Sequence, residues 1–91
     1  MTDIRIKALG ERGYGVTVVE GDVVTDHKVR VTEDFLDTLA VPDADEERVV
    51  RESIAFLLEH VKSTSIYEEF ELDLLIDQYP DYLDELRTRL S

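Results

Sequence analysis

The chain is predicted to adopt an α+β fold: a three-stranded antiparallel β-meander over residues 1–32, then three to four helices over residues 33–91 packed on one face of the sheet. Two changes at the same boundary predict it. Apolar residues alternate with period two through the first 32 residues and then switch to helical spacing. Charge changes there too, with five acids and five bases in residues 1–32 but seventeen acids and five bases in residues 33–91, which hold the whole net charge of −12. At 91 residues the chain has the length of one domain, and no linker, repeat or low-complexity tract divides it.

In the first strand Ile4, Ile6 and Ala8 point one way and Arg5 and Lys7 the other. A loop is expected from Leu9 to Gly13, which would set Ile4 and Ile6 opposite Val18 and Val16. The second strand puts Tyr14, Val16 and Val18 on one face. Gly21-Asp22 has the composition of a two-residue hairpin turn whose first central residue needs φ > 0. That turn pairs Glu20 with Val23, Val18 with Thr25, Val16 with His27 and Tyr14 with Val29. The register gathers Tyr14, Val16, Val18, Val29 and Val31 on the core side and Arg5, Lys7, Lys28 and Arg30 on the other, interrupted by Asp26.

Thr32 is placed to cap a helix over Glu33 to Ala40, whose Phe35, Leu36 and Leu39 make a stripe, and Val41-Pro42 ends it. The main helix is expected to start at Asp43, with Glu46 at capping-box spacing and acids crowding the positive end of the dipole. Val50, Ile54, Leu57, Leu58 and Val61 form its apolar face, widened by Val49 and Phe56. Ser65 and Glu68 again have capping-box spacing, predicting a helical turn through Phe70. Leu72, Leu75, Ile76 and Tyr79 form the next stripe, with Asp73 placed to help cap it. Pro80 then interrupts, and Tyr82, Leu83, Leu86 and Leu90 define a last helix with Arg87 and Arg89 near its negative end.

Composition narrows the function classes. The amino terminus alternates charge where a signal peptide needs an apolar run, and no stretch approaches the roughly 20 apolar residues of a membrane span, so a cytoplasmic location is expected. With no cysteine, disulfides and thiolate metal sites are excluded. A chain this short is marginal alone, which predicts a homodimer. A charge of −12 repels phosphates and disfavours non-specific nucleic-acid or anionic-lipid binding. Acidic charge also serves solubility in any small protein.

Chemical motifs are scarce. Gly10, Gly13 and Gly15 read G-x-x-G-x-G and lead into a strand, not into the helix a phosphate-binding loop requires. Asp43-Ala44-Asp45 opens like a calcium loop, but Arg48 stands where its sharp-turn glycine belongs and Ile54 where its bidentate glutamate belongs. His27 and His60 suit a core-facing strand position and a helix end better than a metal site. Ser53, Ser63, Ser65 and Ser91 sit in no nucleophile-elbow context. The reading is therefore a non-enzyme without cofactor or metal.

Tyrosine combines large area with a polar tip, which suits interfaces. Tyr67, Tyr79 and Tyr82 with Glu68, Glu69 and Glu71 form the candidate protein-binding set. The expected function is a small, acidic, self-associating interaction or regulatory module with a basic protein partner. An antitoxin-like or nucleic-acid-mimicking inhibitor is its sharpest form. The alternatives are nucleic-acid binding through Arg5, Lys7, Lys28 and Arg30, and a non-catalytic subunit of an enzyme complex.

Overall fold

Turn chemistry sets the sheet. The computed structural model describes residues 2–41 and 45–90, and in it Thr2–Gly10 (β1), Gly13–Glu20 (β2) and Val23–Arg30 (β3) form an antiparallel meander. The pairs Glu20↔Val23, Val18↔Thr25, Val16↔His27 and Tyr14↔Val29 all form, as do Ile4↔Val18 and Ile6↔Val16. Gly21 takes φ +60°, the left-handed conformation that the hairpin turn demands.

The first connection is tighter than expected. β1 runs on to Gly10, which pairs with Gly13 after a register shift beyond Ala8. Only Glu11 and Arg12 are left in the turn, at φ 51° and 61°. Non-glycine residues in that region cost about 1–2 kcal/mol each, so strand pairing imposes this turn against local preference.

The larger departure lies at residues 63–71. In place of the expected helical turn through Phe70 there is a 3-10 turn at Ser63–Ser65, then a strand, Glu69–Glu71 (β4), parallel to β3. The sheet is therefore mixed and four-stranded, ordered β1-β2-β3-β4. Phe70 and Leu72 are both buried while Glu69 and Glu71 are exposed, which is period two and not helical spacing. Capping-box spacing at Ser65 and Glu68 competes locally, but the backbone bonds Lys28 N–H to Glu68 O and Leu72 N–H to Arg30 O decide the outcome. His27 secures the join, with its Nδ1 donating to the Tyr67 carbonyl at 2.8 Å and its Nε2 2.9 Å from the Thr25 hydroxyl.

The helices are Glu33–Leu39 (α1), Glu46–Leu58 (α2), Asp73–Gln78 (α3) and Tyr82–Leu90 (α4). Thr32 caps α1 through the Phe35 N–H, and its hydroxyl donates to Asp73, tying α1 to the start of α3. Asp73 thus serves α1's cap and makes no cap bond for α3. α2 begins at Glu46, with Asp45 as its N-cap accepting from the Glu47 N–H. The expected start at Asp43 lies outside the described residues, as do Pro42 and Ala44.

The core forms between the helices and one sheet face, where Val16, Val18, Val29, Phe35, Leu39, Val50, Ile54, Leu72, Tyr82 and Leu86 are buried. The accessible surface of 5668 Å² is close to the roughly 5,400 Å² typical of a folded monomer of this mass. The monomer therefore exposes about as much surface as is typical for its mass. Among the described residues no helix is long and apolar enough to cross a membrane.

Candidate functional site

Two surfaces carry the candidate residues. On the open sheet face the register aligns Lys7, Gly15, Lys28 and Glu69 in one row. Arg5, Thr17 and Asp26 align in the next, where the Thr17 hydroxyl donates to Asp26 at 2.7 Å. Arg30 lies beside Glu71, and Arg5 pairs with Asp3 at 2.9 Å. Arg5, Lys7, Lys28 and Arg30 do share the face, but Asp3, Asp26, Glu69 and Glu71 interleave with them. β4 thus neutralises what the meander alone would make basic. A depression of about 580 Å³ at one end is lined by Leu9, Lys28, Arg30, Glu69 and Glu71 among others, and it too carries both signs.

The tyrosine set does not form one surface. Tyr82 is 0 % exposed, and its hydroxyl lies 2.5 Å from that of Ser53. It is a core residue, and burial pushes its phenol pKa up. Glu69 and Glu71 belong to the open sheet face. Tyr67 is 54 % exposed, and its hydroxyl accepts from the Gln78 amide at 3.3 Å. Tyr79 is half-buried, edge-on to Phe56 at 5.5 Å and stacked on His60 at 5.1 Å between centroids.

Tyr79 forms a ridge between two hollows. One, of about 210 Å³, has Leu57, Val61, Ile66, Phe70 and Leu75 in its walls and Tyr67 and Gln78 at its lip. The other, of about 270 Å³, is backed by Phe56, His60 and Tyr79 and bordered by Glu59, Asp81 and Glu85. Phe56, His60 and Ile66 were not legible in the sequence as lining these hollows. The i, i+4 spacing of Phe56 and His60 was the available signal, but Phe56 also fits the core stripe.

Electrostatics on the helical side follow from how the arginines are used. Arg48 donates to the Arg89 carbonyl and Arg51 to the Ile4 carbonyl on β1. Arg87 donates to the Thr38 and Leu39 carbonyls, where α1 ends, and pairs with Asp84. Arg89 serves Glu52, Glu59 and Glu85 together. All four guanidinium groups are therefore committed within the fold. Among the described residues Glu68, Asp77 and Asp81 take part in no ion pair. No group of three or more His, Asp or Glu side chains among them is arranged to hold a metal ion.

Comparison with protein-family models, curated proteins and solved structures finds no match. Any functional reading therefore rests on the geometry.

Proposed function

We infer that this chain is a non-catalytic protein-interaction module whose acidic helical side recognises a basic protein partner. One observation carries the reading. The arginines of the helical part are spent on carbonyl groups and on the Glu52–Glu59–Glu85 cluster, so Asp77 and Asp81 beside the Tyr79 ridge keep uncompensated charge. Solvent-facing charge of this kind steers encounter and selects partners more than it supplies affinity. A nucleic-acid role for Arg5, Lys7, Lys28 and Arg30 has less support, because the acids among them cancel the field that phosphates need. The test is affinity capture from a native, cytoplasmic extract with the wild-type chain and with Asp77 and Asp81 both changed to lysine. Capture that is lost in the variant and at high salt supports the reading. Capture that is indifferent to both refutes it.

Self-association forms a second part of the proposal, supported by the edge of β1. Arg51 occupies the outward carbonyl of Ile4, and the alternation of an antiparallel ladder turns the backbone groups of Ile6 and Ala8 outward as well. A nine-residue strand with such an edge can pair with a second copy. A sedimentation run at micromolar concentration that shows only a species near 10.5 kDa removes this part.

A further inference from the structure

We propose that the two hollows flanking Tyr79 are a single docking surface for a basic amphipathic helix of a partner protein, which seats one apolar side chain and one arginine or lysine on either side of the tyrosine ring. The inference rests on the reading above and gives the partner a shape.

The chemistry of the two hollows is complementary. Leu57, Val61, Ile66, Phe70 and Leu75 wall the first with apolar surface, and the exposed ring of Tyr67 extends it at the lip. An apolar side chain placed against these walls leaves water. The second has three aromatic rings at its back and three carboxylates at its border. Glu59 and Glu85 share Arg89, so this border keeps a negative surplus, and Asp81 adds a carboxylate without an ion pair among the described residues. Phe56, His60 and Tyr79 pack directly against one another, with centroids 4.6 to 5.5 Å apart, so they form a wall and not a cage. A flat guanidinium can lie on such a wall while the carboxylates bind its edge.

Spacing then selects the partner. The two hollows share Tyr79 in their walls, so side chains seated in them are separated by that one ring, on the order of 7 Å. Residues three or four apart on a helix, with Cβ atoms about 5–6 Å apart, deliver side chains at that separation. The recognised pattern is therefore an apolar residue and a base at i, i+3 or i, i+4. This is the helix-in-groove mode with one charged anchor.

The test uses the full chain and two alanine-based helical peptides of about 18 residues, long enough to hold helix. Both contain one leucine and one arginine, placed at i, i+4 in the first peptide and on opposite faces in the second. Affinities and amide chemical-shift changes are measured for the wild type and for Asp81→Lys, Tyr67→Ala and Glu47→Lys. Asp81 and Tyr67 are exposed, so their replacement leaves the core intact. Glu47 is an equal charge control about 18 Å from Glu59 along α2, twelve residues at about 1.5 Å each. The expected result is millimolar or tighter binding of the first peptide only, with shifts centred on His60, Ile66 and Tyr79. Asp81→Lys and Tyr67→Ala should each weaken it about tenfold and Glu47→Lys less than about twofold. Equal binding of both peptides, weakened equally by Asp81→Lys and Glu47→Lys, overturns the docking surface but leaves the acidic-recognition reading standing. No binding of either peptide overturns both.

Discussion

The buried pair of Tyr82 and Ser53 offers a sharp test of where the last helix belongs. Ser53 is fully buried, and its one hydroxyl proton goes to the Val49 carbonyl at 2.7 Å. Tyr82 must therefore be the donor across the 2.5 Å contact to Ser53. Tyr82→Phe removes that donor and leaves Ser53 bonded to Val49, at a cost of about 1 kcal/mol. Ser53→Ala instead leaves a buried phenol without its acceptor, which costs about 1–3 kcal/mol. The double variant strands nothing, so Tyr82→Phe added to Ser53→Ala should be neutral or stabilising. In a domain of this size each kcal/mol moves the melting temperature by about 4–8 °C, so thermal and urea denaturation of the four proteins resolve the cycle. If the two changes simply add, the hydroxyl reaches water, and Tyr82 returns to the surface where its tyrosine character alone would have put it.

Two further outcomes follow from the same geometry. Gly21 sits at φ +60° with nothing within 4 Å of where a Cβ would be, so Gly21→Val should lose on the order of 1 kcal/mol from backbone conformation alone; an unchanged melting temperature would contradict the turn. Burial raises the Tyr82 phenol above its unfolded pKa, so its contribution is whole below about pH 10 and falls as pH rises above that, by about 1.4 kcal/mol per pH unit. Ultraviolet difference titration should leave one of the four tyrosines un-ionised until the fold opens; four ionising together near pH 10 in the intact fold would refute it.

Local chemistry made the meander readable. The alternation of Val16 and Val18 against Val29 and Val31, with Gly21 at the turn, fixes a register that needs no distant information. The caps at Thr32 and the stripe of Val50, Ile54 and Leu57 were readable for the same reason. β4 was not, because a three-residue strand has no period of its own and depends on pairing with β3 some forty residues earlier. Missing it had a consequence for function. Without Glu69 and Glu71 beside Lys28 and Arg30, the sheet face looks basic; with them it is balanced. Tyr82 failed differently. Its sequence neighbours Asp81 and Asp84 suggest a surface, but the helical phase that buries Leu86 also turns Tyr82 inward beside Phe35 and Phe56.

The charge asymmetry is best tested by association kinetics with a partner captured from extract, followed across salt concentration. One variant changes Asp77 and Asp81 to lysine, and the other changes Arg5, Lys7, Lys28 and Arg30 to glutamate. Recognition through the helical side predicts that the first slows association severalfold and flattens its salt dependence, while the second leaves the rate near wild type. Association that survives the first variant and collapses in the second would place the contact on the sheet and contradict the assignment.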